Sequence, residues 1–377
     1  MKVGILGCRG IPNVYGGFEQ FAQFLAPGLC RRGHDVWVYN SRNHPYRGDQ
    51  WQGVRLLRCS DPEPTLGAVG QFLYDLNCFR DAAGREFDIL LQLGYTSSSI
   101  WNKSWPKGPL HFISMDGLEW NRGKYHFIAR RFLRHAEALA VRNADGLIAD
   151  STVIRKHLRE RYGREATYIP YGASVFQEPD LAQLSIWGLR AKEYILAVAR
   201  MEPENNLEMI IQGYILSGLT YPLVLVGNLE NRHGRRLKNR YGKRVRFVGS
   251  IYDEEQLNNL RYFSLIYLHG HSVGGTNPSL LEAMGCSCQI LAHGNPFNEA
   301  ILGVDAEYFL DESELGSLLR NRAENPWERE ANIHKNLEKI RSLYPWDDIV
   351  GEYESLFFRA LSKHRGKFSS LAEESVR

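Results

Sequence analysis

The sequence has no long apolar run and very little net charge. No apolar segment approaches the about 18 residues that a membrane-spanning helix requires, and the run from Val3 to Cys8 is too short for a signal peptide. A net charge of +3 over 377 residues gives no electrostatic reason to expect a nucleic-acid partner. We therefore expect a protein that is neither secreted nor transmembrane and that does not bind nucleic acid.

The cysteines lack the spacing of a metal or redox site. Six cysteines are present without any CxxC pair, and Cys286 and Cys288 form only a CxC, which would need two more ligands to hold zinc. In a chain of this length they are typical of buried thiols, which favours a reducing compartment such as the cytoplasm. His269 and His271 make an incomplete metal site, and a position in the core or along a cleft is the alternative. We expect no metal and no cofactor.

What the sequence has is a regular alternation of short apolar runs with helical patterns. This alternation predicts mainly parallel sheets covered by helices on both faces, and a chain of 377 residues exceeds a single core. The rhythm breaks at 175–190 and then restarts. We predict an α/β fold of two Rossmann-like domains, 1–180 and 190–345, then a helix over 346–365 that packs back across both domains, and a frayed tail. The predicted strands are 3–8, 35–39, 54–59, 87–93, 110–115, 146–149, 167–170, 194–200, 222–228, 245–250, 264–270 and 288–294.

The stretch GHSVGGTNPSLLEAMG, residues 270–285, has the composition of a phosphate-binding corner. Asn277 has the chemistry of a helix N-cap and Pro278 fits the first helical position. Gly274 and Gly275 permit a loop whose N–H groups face a ligand. Glu282 would point back toward the N-terminal end of the helix and could meet a polar ligand there. The alternative is a well-capped core helix whose Glu282 faces water.

A second glycine-rich corner, GCRGIPNVYGGFE, follows the first predicted strand. It is not a GxGxxG, so it gives a dinucleotide site little support. Gly16 and Gly17 precede a helical pattern, so the N-terminus of that helix could face a diphosphate or an acceptor, and a tight turn without a ligand is the alternative. Both corners follow strands, which is where doubly wound sheets bind ligands.

Several motifs together resemble one enzyme family. VARMEPENN, VRFVGSIYDEEQL, GGTNPSLLEAMGC and WDDIVGEYESL are similar to segments of retaining GT-B glycosyltransferases of family 4. GIPNVYGGFEQFA, SMDGLEWNRGKY, VRNADGLIADS and YIPYGAS are closer still to bacterial rhamnosyltransferases, which transfer L-rhamnose from dTDP-rhamnose to a lipid-pyrophosphate-linked sugar. The resemblance covers nearly the whole chain, in order. It implies that the first domain holds the acceptor and the second holds the nucleotide-sugar donor.

The resemblance also implies a set of donor-binding residues, with two departures from the family pattern. Arg200 corresponds to the diphosphate arginine, whereas Asn205 and Asn206 stand where a lysine is usual. Glu282 corresponds to the glutamate at the nucleotide ribose, whereas Gly274 replaces the first glutamate of the usual pair. Backbone amides of the two glycine-rich corners would then contribute more to diphosphate binding. The expected donor-binding residues are Gly16, Gly17, Arg200, Asn205, Asn206, Ile251, Gly274, Gly275, Thr276, Asn277 and Glu282.

Asp116 and Glu119, in SMDGLEW, are the candidates for accepting the proton of the attacking hydroxyl, with capping of the following helix as the alternative. Met115 stands where the family often has a histidine. With Arg200 as the third catalytic residue, the resemblance implies a metal-independent enzyme that retains the anomeric configuration by front-face attack without a covalent intermediate. Ile251 would lie beside the nucleotide base, with a core position as the alternative.

Residues 122–142 suggest contact with an anionic membrane surface. Six positive residues stand against Glu137 alone, a local charge of +5, and apolar residues interleave with the arginines. A packed helix with a solvated basic face is the alternative. The expected membrane-contacting residues are Arg130, Arg131 and Arg134, on a protein peripheral to the inner face of the plasma membrane.

The prediction is thus a rhamnosyltransferase of polysaccharide assembly that acts on a lipid-linked sugar. Two alternatives stay open: a family 4 enzyme that uses a UDP-sugar, and an inactive nucleotide-sugar-binding subunit.

Overall fold

A computed structural model describes residues 1–115, 117–123, 125–325 and 330–374. Strands and helices alternate along the described chain. The strands are β1 (Lys2–Leu6), β2 (Asp35–Ser41), β3 (Gln50–Trp51), β4 (Val54–Cys59), β5 (Ile89–Leu93), β6 (Leu110–Met115), β7 (Gly146–Ala149), β8 (Thr167–Tyr168), β9 (Ile195–Val198), β10 (Leu223–Val226), β11 (Arg246–Gly249), β12 (Ile266–His269), β13 (Ile290–His293) and β14 (Glu307–Phe309).

The α-helices are α1 (Gly17–Arg31), α2 (Glu63–Leu66), α3 (Ala68–Ala82), α4 (Phe127–Asn143), α5 (Thr152–Tyr162), α6 (Leu207–Ser217), α7 (Arg232–Tyr241), α8 (Glu254–Tyr262), α9 (Pro278–Gly285), α10 (Pro296–Leu302), α11 (Glu312–Glu324), α12 (Glu330–Leu343) and α13 (Trp346–Glu374). Short 3₁₀ turns span Ser99–Ser104, Glu119–Asn121, Leu181–Trp187 and Pro203–Asn205.

The chain forms two compact units. Unit 1 comprises Met1–Asp116, Ile128–Tyr171 and Trp346–Arg377, and unit 2 comprises Gly117–Phe127 and Gly172–Pro345. The sequence prediction places 117–127 in the first domain and puts the boundary near 180, whereas 117–127 belong to unit 2 and the chain passes into unit 2 again after Tyr171. The first difference arises because Gly117 packs against Gly274: a Cβ built on Gly117 would lie 2.7 Å from the Gly274 Cα.

Unit 1 contains an eight-stranded sheet in the order β3-β4-β2-β1-β5-β6-β7-β8. All described pairings are parallel except that of β3 with β4. Successive strands are added on one side of β1 and then on the other, so the direction of winding reverses between β1 and β5. This is the topological switch point of unit 1, where ligands of doubly wound sheets bind.

Unit 2 contains a six-stranded parallel sheet in the order β11-β10-β9-β12-β13-β14. Its switch point lies between β9 and β12, which pair through Ile195 and Ile266. The four inner strands β9, β10, β12 and β13 are short and almost entirely buried, as the near-continuous apolar runs predict, whereas the edge strands β11 and β14 are partly exposed. A core of strand and helix side chains, among them Leu225, Leu268 and Leu319, is fully buried between the sheet and its helices.

The terminal helix α13 belongs to unit 1, where it packs on α1. Trp346 stacks on Phe24 with ring centroids 4.6 Å apart, and a Cβ built on Gly28 would lie 2.5 Å from a Val350 methyl group. Gly28 therefore permits the close approach of the two helices. The helix runs to Glu374 and thus continues through the segment for which the sequence predicts a frayed tail.

Candidate functional site

Two loops meet at the carboxyl ends of β9 and β12, the switch point of unit 2. The loop after β9 carries Arg200, and its Asn205 side-chain amide donates to the Arg200 carbonyl over 2.8 Å. The Asn206 amide donates to the Gly270 carbonyl over 2.9 Å, so it links this loop to the one after β12. A Cβ on Gly270 would lie 2.3 Å from the Asn205 carbonyl oxygen. Both asparagine NH2 groups therefore bond backbone carbonyls: that of Asn205 closes the loop after β9, and that of Asn206 joins the two loops.

The loop after β12 ends in the N-terminus of α9, as the sequence predicts. Asn277 accepts a hydrogen bond from the Ser279 N–H over 3.0 Å, and Pro278 occupies the first helical turn. Gly274 adopts a φ of +152°, which other residues rarely adopt, and Thr276 is buried. The loop thus has the composition and the capped helix terminus of an anion site, and the helix dipole favours negative charge there.

Residues 117–123 form a third side of this site in unit 2. Glu119 and Arg122 are buried, and the Arg122 Nε donates to the Glu119 carboxylate over 2.6 Å. The Arg122 Nη1 also donates to Glu204 over 3.1 Å. One guanidinium therefore joins two carboxylates from separate segments. Asp116, the other predicted base, lies outside the described residues.

Two histidines stack at the end of β12. The His269 and His271 rings lie 4.4 Å apart at an interplanar angle of 15°. Burial, with a smaller contribution from His293, lowers the pKa of His269 to about 3. Burial first, and then His269, Arg200 and Arg122, lower the pKa of His271 well below its ordinary value. Both imidazoles are therefore neutral at neutral pH, so they add no positive charge beside Arg200.

Arg200 is exposed at the end of β9. Among the residues that the structure describes, no carboxylate contacts its guanidinium. An exposed guanidinium without a carboxylate partner, beside a glycine loop and a capped helix terminus, can bind two oxygens of a phosphate group at once.

Glu282 has a protein partner that neither sequence interpretation included. Its carboxylate forms an ion pair with Arg261, which is 2% exposed. Although burial alone would lower the pKa of Arg261, the negative charge of Glu282 raises it. Burial, followed by the charge of Glu282, raises the pKa of Glu254. The alternative of a water-facing Glu282 is therefore wrong, because this carboxylate neutralises a buried guanidinium inside unit 2.

The first-corner glycines belong to unit 1. Gly16 is the N-cap of α1 with an extended φ of −168°, and Gly17 is its first residue. Glu19, in the first turn, is buried and accepts a hydrogen bond from the Arg9 N–H over 2.7 Å. The N-terminus of α1 therefore already has a carboxylate beside it, which the sequence prediction of an anion site at Gly16 and Gly17 did not consider.

Unit 1 has an unusual carboxyl group in α3. Asp75 is buried, and one of its carboxylate oxygens has no hydrogen-bond partner among the described residues. Burial raises the pKa of Asp75 to about 7, although Ser97 and Arg9 act in the opposite direction. Nearby Asp61 and Glu63 raise the pKa further. This group is largely protonated just below neutral pH.

The remaining predicted residues lie on the surface or near it. Ile251 follows β11 in unit 2 and is half-buried. Arg130, Arg131 and Arg134 lie exposed on α4. Arg122, which the sequence counts in the local charge of 122–142, is buried in ion pairs with Glu119 and Glu204 and so adds no charge to the exposed surface of this segment.

The sequence analysis did not predict the buried ion pairs of three site residues: Arg122, Glu204 and Arg261. Although Glu119 lies only three positions from Arg122, 82 positions separate Arg122 from Glu204. A weak signal was available for Glu204, which stands between Arg200 and Asn205 in the quoted motif. Local spacing gives no such signal for Arg261, which lies in α8 and meets Glu282 in α9.

Comparisons with known proteins identify the fold. The chain is similar to sucrose-phosphate synthase from Thermosynechococcus elongatus, at 16% identity over 96% of this chain and 99% of that chain, with a TM-score of 0.80. It is also similar to HepE from Anabaena in complex with UDP, at 16% identity over 95% of this chain and 100% of that chain, with a TM-score of 0.70. The chain has the GT-B fold. This confirms the fold class predicted from the sequence.

A third similar structure with this fold is AviGT4, a glycosyltransferase involved in avilamycin A biosynthesis, at 18% identity over 96% of this chain and 98% of that chain, with a TM-score of 0.61. A family model described as "Domain of unknown function (DUF1972)" matches residues 99–174. Curated proteins give no sequence match. At identities of 16–18%, the structural likeness shows the fold alone.

No helix among the described residues combines the length and apolar content needed to cross a bilayer. Within the same residues, no three His, Cys, Asp or Glu side chains come together as a metal site.

Proposed function

We propose that this chain is a glycosyltransferase whose unit 2 binds a nucleotide-sugar donor and whose unit 1 binds the acceptor. The observation that carries the proposal is the switch point between β9 and β12. There an exposed Arg200, a loop with Gly274 in a glycine conformation, and the capped N-terminus of α9 occur together in the place where doubly wound sheets bind ligands. The shared GT-B fold supports the same conclusion.

The proposed donor is dTDP-L-rhamnose, and the proposed acceptor is a lipid-pyrophosphate-linked sugar of bacterial polysaccharide assembly. The support is the resemblance of the quoted motifs in both halves of the chain to rhamnosyltransferases. Glu282 would then accept a hydrogen bond from the 3′-OH of the deoxyribose, while Arg261 fixes the position of its carboxylate. Ile251 would lie near the thymine base.

In the proposed reaction, the glycosidic bond to the diphosphate breaks as the acceptor hydroxyl attacks the anomeric carbon. Arg200 and the N–H groups around Gly274, Gly275 and Thr276 stabilise the charge that develops on the leaving diphosphate. The acceptor proton passes to a carboxylate or to the departing phosphate. Because Glu119 already bonds Arg122, we favour Asp116 as the carboxylate. By resemblance, the configuration is retained and no metal takes part.

We place the enzyme in the cytoplasm, attached peripherally to the inner face of the plasma membrane. A lipid-linked acceptor requires access to a bilayer, and the exposed arginines Arg130, Arg131 and Arg134 on α4 suit an anionic lipid surface.

A UDP-sugar is the second candidate donor, because HepE structures contain UDP and UDP-glucose. Incubation of the protein with dTDP-rhamnose, UDP-glucose and UDP-N-acetylglucosamine, with lipid-linked saccharides as acceptors, separates the candidates. We expect transfer or slow hydrolysis with dTDP-rhamnose and tighter binding of dTDP than of UDP in calorimetry. Tighter UDP binding would favour the second candidate. Binding without transfer or hydrolysis of any donor would identify an inactive nucleotide-sugar-binding subunit.

A further inference from the structure

A short uncharged segment of unit 1 is exposed at every residue. Residues 64–69, with the sequence PTLGAV, join the end of α2 to the start of α3, and all six are exposed. Leu66 is 52% exposed and Val69 is 62% exposed. We call this segment the apolar turn. Single exposed apolar residues are common on protein surfaces, whereas six consecutive exposed residues without a charge form a patch that needs an explanation.

The apolar turn has a well-defined backbone. Gly67 adopts a φ of +57°, which turns the chain sharply between α2 and α3. A Cβ on Gly70 would lie 2.3 Å from the Glu63 nitrogen, so this glycine lets the two helices pack tightly. The Glu63 carboxylate holds the base of the turn through Arg9, at 2.8 and 2.6 Å. The packing of this turn therefore presents Leu66 and Val69 to solvent.

The apolar turn is continuous with an apolar stripe on α4. Val69 and Phe72 lie one turn apart on α3, and the Phe72 ring lies 5.7 Å from that of Phe132 on α4. Phe132 and Ile128 also lie one turn apart, and Ile128 is 72% exposed. The surface thus carries apolar side chains of two elements side by side.

Positively charged side chains border this stripe, and the acidic residue of α4 is buried. Arg130, Arg131 and Arg134 are exposed beside Ile128 and Phe132. Glu137 is the one acid in the sequence of α4. It is 1% exposed and accepts hydrogen bonds from Tyr162 at 2.6 Å and from His157 at 3.0 Å. The exposed face of α4 therefore combines apolar and cationic side chains without an acidic one.

We propose that the apolar turn inserts into the interfacial region of an anionic bilayer beside α4, as a second and salt-resistant membrane anchor. The inference rests on the proposed attachment of α4 to a membrane. Arginines around an apolar stripe match anionic headgroups around acyl chains. A second copy of the chain is a less suitable partner for this surface, because a twofold-symmetric contact would bring the same arginines of the two copies close together, where they would repel each other.

The test is sedimentation of the full chain with vesicles of phosphatidylcholine containing phosphatidylglycerol, at 0.1 and 0.5 M NaCl. Leu66→Gln with Val69→Gln removes the apolar contribution, and Arg130, Arg131 and Arg134 changed to Glu remove the electrostatic one. The matched control is Val304→Gln with Leu310→Gln, because these unit 2 residues are 83% and 62% exposed. Circular dichroism and dTDP binding confirm that every variant is folded.

We expect the turn variant to partition at least about tenfold more weakly at 0.5 M NaCl, where screening leaves mainly the apolar contribution. The control should bind as the wild type does, and the arginine variant should lose binding at 0.1 M NaCl. Equal vesicle binding by the wild type and the turn variant would overturn the proposed role of the apolar turn and would leave the proposed role of α4 untouched. Absence of wild-type binding to every vesicle would overturn both membrane proposals, while donor turnover would still test the transferase proposal. A wild-type dimer that the turn variant abolishes would identify a second copy as the occupant.

Discussion

The switch points of the two units differ in how their charges are used. In unit 1, Arg9 is bonded by Glu63, Glu19 lies at the N-terminus of α1, and burial shifts Asp75 toward its neutral form. In unit 2, no described carboxylate contacts the Arg200 guanidinium, and the neighbouring loop contributes backbone N–H groups and neutral histidines. Charges at the first switch point are therefore satisfied internally, whereas the second retains a cationic group for a ligand.

This difference supports the proposal that unit 2 binds the nucleotide-sugar donor and unit 1 binds the acceptor. An anionic diphosphate gains most where an exposed guanidinium and a helix N-terminus are available together. A sugar acceptor is neutral at its hydroxyl groups and needs hydrogen-bonding partners rather than net charge. The comparison predicts that charge changes in unit 1 alter stability and that changes at Arg200 alter nucleotide binding. A change at Glu282 should alter both stability and nucleotide binding, because this carboxylate pairs with a buried cation and is also proposed to bind the donor.

The largest effect is expected at Glu282. Glu282→Gln leaves the buried Arg261 guanidinium without its counter-charge, so the free energy of unfolding should fall by about 3 kcal/mol. If the carboxylate also binds the deoxyribose 3′-OH, dTDP affinity should fall roughly ten- to a hundredfold. Denaturant unfolding and titration calorimetry measure the two effects separately.

The double variant Glu282→Gln with Arg261→Met is the matched control for this experiment. Removing both charges should restore much of the stability but none of the dTDP affinity, because the buried cation is gone and the ribose partner is still absent. Unchanged dTDP affinity in the single variant would refute the ribose role.

The next largest effect concerns Asp75 and depends on pH. Because its folded pKa of about 7 lies above the ordinary value of 3.8, the folded state holds a proton that the unfolded state releases. The contribution of Asp75 to the free energy of unfolding is fully present below about pH 4 and is lost as the pH rises through about 7. Asp75→Asn should therefore unfold like the wild type near pH 4 and be more stable at pH 8, by up to about 3 kcal/mol.

The comparison of the units predicts in addition that Asp75→Asn leaves dTDP affinity unchanged. Unfolding by urea at pH 4, 6 and 8 gives the stability difference, and calorimetry gives the affinity. A stability difference that is the same at all three pH values would show that Asp75 does not titrate in this range.

The third effect, at Arg200, is expected in binding alone. Arg200→Ala removes a charge-assisted fork to the diphosphate, which costs about 2 kcal/mol, or roughly thirtyfold in dTDP affinity. The midpoint of thermal unfolding should not change, because the side chain is exposed and no described carboxylate contacts it. Arg9→Ala is the control. It should lower the midpoint of thermal unfolding and leave dTDP affinity unchanged, because loss of the guanidinium removes the partner of Glu63. Equal dTDP affinity in wild type and Arg200→Ala would remove the main support for the donor site.

Much of the fold was predictable because apolar strands buried on both faces leave a strong local pattern. The twelve predicted strands all correspond to observed ones, whereas β3 and β14, of two and three residues, are too short to produce a pattern. The cap of α9 was also predictable, since Asn277 and Pro278 act within one helical turn. These features depend on residues that are neighbours in sequence.

The parts of the site that escaped prediction depend on residues that are distant in sequence. The pairing of Glu282 with Arg261 and that of Arg122 with Glu204 require the packing of separate segments. For the same reason the sequence included Arg122 in the local charge of +5 over 122–142, although its side chain is buried in ion pairs. Long-range ion pairs have no periodic signature, so the composition of 122–142 alone could not distinguish Arg122 from Arg130.

The division of the chain into alternating segments has a consequence for any attempt to dissect the protein. The backbone passes from one unit to the other at four places, near residues 116, 127, 171 and 345. A fragment ending at residue 180 would retain the Gly117 segment that packs on Gly274, and it would lack the Trp346 ring that stacks on Phe24. No single proteolytic cut or gene truncation can therefore yield both units intact, because unit 1 needs residues 346–377 and unit 2 needs residues 117–127.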